Sequence, residues 1–202
     1  EFKDSDGALV GVEMDITNAI ADVLGLEFQP VEQDFSLILP AVQSGQIDIG
    51  ASGFTDNEER RKNFDFVDPL YAGIQWAERT EGIKDVNPEN PCGLTVAVQR
   101  TTVSETDDLN PKRDACGGDL RILAYDTSDN AALAVLMGRA DAMSADSPVS
   151  SWAVNRSEGK MRMVGDMFDA APYGLAVPKD SELGPAAAAA LDYLIETGEY
   201  EK

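Results

Sequence analysis

The 202-residue sequence predicts an α/β fold of two lobes, each a mostly parallel sheet flanked by helices. Three observations predict it. Apolar positions switch repeatedly between helical and strand-like spacing along the whole chain. One junction of helix end, glycine, aspartate and strand start occurs twice. No low-complexity linker separates the halves, so two strand-like crossings, at 74–78 and 173–177, are expected to join the lobes as a hinge.

From Met14, the positions Ile16, Ala19, Ile20, Val23 and Leu24 recur at helical spacing, with Gly25 as the stop signal. A β-prone stretch, 27–31, follows. A helix over 35–44 ends at Gly45, ahead of a strand over 47–52. The later part repeats this grammar, with strands at 94–99 and 120–125, a helix at 130–137 ending at Gly138, and a strand at 140–145. Ala41-Val42-Gln43-Ser44-Gly45-Gln46-Ile47-Asp48-Ile49 is echoed by Ala134-Val135-Leu136-Met137-Gly138-Arg139-Ala140-Asp141-Ala142. A strand at 174–178 and an alanine-rich helix at 182–197 close the chain. The expected lobes are residues 1–76 with 175–202, and residues 77–174.

Sixteen basic residues stand against 37 acidic ones, a net charge of −21 that repels nucleic-acid and anionic lipid phosphates. The same charge suits a cationic solute, or simply a well-solvated surface. Histidine is absent, which excludes imidazole acid–base chemistry, histidine-activated nucleophiles and histidine-ligated metals. No apolar run approaches the ~20 residues needed to cross a bilayer. The only cysteines, Cys92 and Cys116, lack the C-x-x-C spacing of a redox pair and the partners of a zinc shell. A disulfide in an oxidising compartment is the favoured reading, with two buried thiols as the alternative.

Ligands of open parallel sheets bind beyond the carboxyl ends of the strands. Leaving the predicted strands are Ser52, Gly53, Phe54 and Thr55 with Arg60 beyond them, then Arg100, Thr101 and Thr102, then Asp146. An arginine fork and a helix N-terminus suit a carboxylate, while an aspartate, a hydroxyl and strand-end carbonyls suit an ammonium. Together they describe the two poles of a zwitterion. Each also has a plainer reading: Arg60 lies in a charged turn, Thr101 and Thr102 suit a helix cap, and Asp146 precedes Ser147-Pro148 as a cap would.

Gly11-Val12-Glu13-Met14-Asp15-Ile16, Leu39-Pro40-Ala41-Val42-Gln43-Ser44-Gly45, Ser52-Gly53-Phe54-Thr55 with Glu59-Arg60-Arg61-Lys62, and Phe64-Asp65-Phe66 with Asp68-Pro69 resemble, in this order, the polar amino acid-binding proteins of ABC transporters. The resemblance implies a type II periplasmic-binding fold, two α/β lobes hinged by two crossovers and closing on an amino acid. It places Arg60 on the ligand α-carboxylate. Gly53, Thr55 and Asp146 fall to the α-ammonium, and Phe54 to the side-chain pocket. Where the family reads Gln-x-Gly-Thr-Thr, this chain has Gln99-Arg100-Thr101-Thr102, which either puts threonine at the glycine position or lacks one residue.

The resemblance further implies a monomer without cofactor that delivers its ligand to the membrane permease of an ABC importer. It would work in the periplasm or lipid-anchored on the outer face of the cytoplasmic membrane. A receptor sensor domain and a dehydratase-like enzyme on the same fold are the alternatives, with Glu58, Glu59 and Glu78 as carboxylates for the latter. Arg100 would favour an acidic ligand and the negative surroundings a cationic one.

Overall fold

The computed structural model describes residues 1–3, 6–81 and 84–200. The chain divides into two compact units, Glu1–Tyr71 with Ala171–Lys202, and Ala72–Ala170. It leaves the first along β4, defined below as Phe64–Arg79, and returns along β8, Met161–Pro178. Both boundaries fall inside these strands, a few residues earlier than the pattern of elements suggested.

In unit 1, β1 (Phe2–Lys3) and β2 (Leu9–Val10) form a short antiparallel pair. Helix α1 (Val12–Leu24) ends where expected, at Gly25, whose φ of 67° is the left-handed conformation that glycine adopts without steric cost. Its buried residues Ile16 and Ile20 pack with Ala187, Leu191 and Leu194 of α7 (Leu183–Glu196). After α2 (Phe35–Gln43), β3 (Gly50–Thr55) pairs antiparallel with β8 at Gly50↔Ala176, Phe54↔Gly174 and Thr55↔Tyr173, with a register shift between Gly50 and Phe54. The parallel pairing expected in this unit is therefore not seen in its described ladders. Strand β8 re-enters from unit 2 instead of following a crossover helix, which frees it to run opposite to β3. The β-prone stretch 27–31 joins no ladder; Pro30 withholds a donor there. The short helix α3 (Glu58–Arg61) leads into β4.

In unit 2, β5 (Thr95–Gln99) lies parallel to β6 (Arg121–Tyr125) and to β7 (Ala142–Asp146), and β4 pairs antiparallel with β7 from Ile74↔Asp146 to Glu78↔Ala142. The two-residue period of strands sorts the core. Val96, Val98, Ile74 and Trp76 face one side, while Ala97, Ala77 and Met143 face the other, under α5 (Ser128–Leu136) and α6 (Ser147–Arg156). A π-helical turn, Ser104–Leu109, runs into α4 (Asn110–Ala115), after which Cys116 is disulfide-bonded to Cys92 across a Cα separation of 5.4 Å. The π-turn carries Asp108, whose wholly buried carboxylate accepts from Trp76 Nε1 at 2.8 Å and Ser144 Oγ at 2.6 Å and is paired with Lys112. These bonds fasten the turn to β4 and β7.

The repeated junction has one geometry in both units. Gly45 and Gly138 each have φ 71°; Gly45 N–H reaches Val42 O and Gln46 N–H reaches Ala41 O, and Gly138 and Arg139 bond Val135 O and Ala134 O in the same way. The shared sequence thus encodes one helix-stop motif used twice.

Candidate functional site

The residues singled out at strand ends fall into one group per unit. In unit 1, Gly53 sits at the irregularity of β3 with φ 63°, and a Cβ there would stand 2.8 Å from the Tyr173 ring, so both conformation and space require glycine. Its N–H donates to Glu13 Oε2 at 2.6 Å. Phe54 turns into the core, 1% exposed, stacked on Phe35 at 4.8 Å between centroids. Arg60 is held from three sides. Its backbone N–H is capped by Asn57 Oδ1 at 2.9 Å, its Nη1 donates to Thr55 O at 2.8 Å, and its guanidinium lies 5.2 Å over the Phe54 ring. Thr55 and Ser52, both in β3, are half-buried. A guanidinium fixed in this way has lost most of its rotamer freedom before any anion arrives.

Glu13 was not singled out in the sequence, yet the signal was there. An acid at 13 shares the buried stripe of α1 with Ile16, Thr17 and Ile20, at i+3, i+4 and i+7. Burial, followed by the charge of Glu1, pushes its carboxyl well above the usual carboxylate range. Asp108 was missed as well, because its partners Trp76 and Ser144 lie far off in sequence.

In unit 2, Arg100 leaves β5 exposed, with Nε 3.0 Å from Asp126 Oδ1. Thr101 has φ 64°, its N–H donating to Glu105 Oε2 at 2.6 Å. Threonine thus occupies a left-handed position suited to glycine. Thr102 is half-buried; its hydroxyl donates to Gln99 O at 2.8 Å and receives the Glu105 N–H at 3.4 Å. Asp146 ends β7 at the N-cap position of α6, and its carboxylate makes no capping bond to that helix. Left-handed backbone costs a β-branched residue ~1–2 kcal/mol, so Thr101→Gly is expected to raise the melting temperature by about 2–8 °C. An unchanged or lower melting point by calorimetry would contradict strain at this position.

A cavity of about 830 Å³ opens in unit 1, lined by α1 side chains such as Ile20, Ala21 and Leu24 and by Ile47, Ile49 and Ala51. Of the residues at strand ends it touches Ser52 alone, so its volume says nothing of the chemistry around Arg60. Among the described residues, no group of three acidic or cysteine side chains is arranged to hold a metal ion, and no helix is long and apolar enough to cross a membrane.

Comparison with known proteins places this geometry in context. The arginine-binding protein ArgT of Corynebacterium glutamicum is 62% identical over 206 residues, covering all of this chain and 68% of ArgT. An ancestral arginine-binding protein solved with arginine superposes with a TM-score of 0.92 at 33% identity, covering 99% of this chain and 88% of that one. An ancestral amino acid-binding protein described as a precursor of cyclohexadienyl dehydratase superposes at 0.87 with 29% identity, over 99% and 86% of the two chains. The family model for bacterial extracellular solute-binding proteins, family 3, matches residues 1–202. With that match along its full length, the chain belongs to the bacterial extracellular solute-binding proteins of family 3 and has their type II periplasmic-binding fold.

Proposed function

We propose that this protein is the amino acid-binding component of an ABC importer and that its ligand is L-arginine or a close cationic relative. The observation that carries the choice of ligand is the 62% identity, across the whole chain, to a protein named for arginine binding. Two physical features support it. The net charge of −21 draws cations from solution, and Arg100, the residue that would have favoured an acidic ligand, is ion-paired with Asp126.

In this reading Arg60 clamps the α-carboxylate. Gly53, Thr55 and Asp146 serve the α-ammonium, Thr102 adds a second carboxylate contact, and Ser52, Phe54 and Thr101 shape the surroundings. Ligand binding shifts the population toward the form that the membrane permease recognises. The protein would act as a monomer, in the periplasm or lipid-anchored outside the cytoplasmic membrane. The likeness to a dehydratase precursor favours an enzymatic second reading. Against it, Glu58 and Glu59 are exposed and Glu78 is ion-paired with Arg162 at 2.7 Å, none of them in the dry, unpaired setting that raises a general acid.

Thermal melting against the common amino acids tests this directly. L-Arginine at 100 times its Kd should stabilise the protein by ~2.7 kcal/mol, a rise of about 5–10 °C. A shift with glutamate or glutamine but not with arginine or lysine would overturn the choice of ligand, and a flat response to every amino acid would overturn the class.

A further inference from the structure

We propose that Asp56, Arg61 and Asp68 position Arg60 for the ligand carboxylate, and that a proton shared by the two carboxyls tunes amino acid affinity. The inference rests on the binding role of Arg60 given above. Arg61 follows Arg60 on α3 and turns its fork onto Asp56, with Nε 2.5 Å from Oδ1 and Nη2 on Oδ2. The Asp56 side chain is wholly buried, and its backbone N–H donates to Pro172 O at 2.9 Å, tying the end of β3 to β8. The turn that carries Arg60 is thereby pinned at both sides: by the cap of Asn57 and by the anchor of its neighbour.

Asp68 completes the cluster from β4. Its Oδ2 lies 3.9 Å from Arg61 Nη2, while Oδ1 is buried and has no hydrogen-bond partner among the described residues. Strand β8 closes over that oxygen at Gly174, where a Cβ would come within 2.6 Å of it. The charges facing Asp68 are Asp56, just past the end of β3, and Arg61 from α3. Asp65, farther along β4, acts weakly on Arg61 and is itself held by Lys179 at 2.6 Å and by the Asp180 N–H. Tyr200 contacts the neighbouring backbone, donating to Pro69 O at 2.7 Å.

Two carboxyls therefore share one guanidinium, and the more buried one takes it as a bidentate pair. Burial, then the charge of Asp56 and a hydrogen bond to it, push the Asp68 carboxyl up to about 6. Protonated, Asp68 donates to Asp56 and leaves Arg61 wholly on Asp56. Ionised, it competes for Arg61 and adds negative charge beside the residue meant to receive a carboxylate. Affinity should therefore fall as pH rises through about 6. By reciprocity, ligand binding near that pH should take up a proton.

The test is calorimetric titration with L-arginine from pH 5 to pH 7.5 on the wild type and on Asp68→Asn, whose amide donates to Asp56 at every pH. The wild-type Kd is expected to rise by about fivefold across this range, the low end of ordinary coupling between sites, with heats that depend on the buffer's ionisation enthalpy. Asp68→Asn should show neither effect. Melting curves report on its folding. The native state keeps a proton that an unfolded aspartate releases near 4, so Asp68 makes wild-type stability decline between about pH 4 and pH 6 more steeply than that of the variant, while Glu13, raised as well, acts on both alike. The variant should match the wild type near pH 4 and melt higher at pH 7.5. Equal pH slopes of affinity in the two proteins overturn the role of the cluster. A wild type that binds arginine at no pH overturns the arginine reading instead.

Discussion

Replacing Arg60 with alanine is expected to weaken L-arginine binding by about 30-fold to several thousand-fold. The estimate follows from the ~2–5 kcal/mol lost when one partner of a dry, hydrogen-bonded charge pair is removed, at about 1.4 kcal/mol per tenfold. The structure gives reason to expect the upper half of that range. Thr55 O and the Phe54 ring already hold the guanidinium, so little of its binding energy goes into ordering the side chain. Arg60→Lys keeps the charge but loses the fork, and should fall between the two. Calorimetric titration of the three proteins decides the matter: an Arg60→Ala affinity equal to that of the wild type would remove Arg60 from the ligand site.

The second large effect concerns stability. Cys92 and Cys116, 24 residues apart, close a loop that contains β5, the π-turn and α4. On the chain-entropy account that closure stabilises the native state by ~3.5 kcal/mol. The double variant Cys92→Ser, Cys116→Ser should melt about 7–14 °C below the wild type, and a reducing agent should reproduce most of the loss. Cys116 also packs against the cluster of Trp76, Val96 and Leu109, so serine leaves a polar group against that core and adds to the loss. A variant that melts with the wild type would show that the loop is held by its packing alone. The bond persists in an oxidising compartment, which agrees with membership of an extracellular family.

The parts of the fold legible in the sequence are those that local chemistry decides. Helices α1 and α5 announce themselves by apolar period and by Gly25 and Gly138, and the twin junctions at Gly45 and Gly138 keep one hydrogen-bond pattern because one sequence motif serves both. What long-range contacts decide was harder to read. The antiparallel sense of β3 against β8 depends on a strand that returns after an entire unit, and nothing within residues 47–55 signals it. The helix α6 and the helical turn after Thr102 were signalled only by cap residues, without bounds: the apolar content of α6 is too low to show a stripe, and Ser104–Leu109 is nearly all polar. Among candidate site residues, the strand-end rule singled out Arg60, Thr102 and Asp146. It could not find Glu13 or Asp108, buried acids whose meaning appears only beside Gly53 in one case and Trp76 in the other.

The nesting of one unit inside the other sets an order of events during synthesis. Strand β3 finds its partner only when β8 has been made, and Gly50 pairs with Ala176. At ~5–20 residues per second, roughly 6–25 s pass on the ribosome between the two. Unit 2, a single continuous stretch from Ala72 to Ala170, is finished within that interval, while the strand bearing Gly53 and Thr55 still lacks its neighbour. A late-made strand thus completes the edge of an early-made one, the strand that carries Gly53 and Thr55.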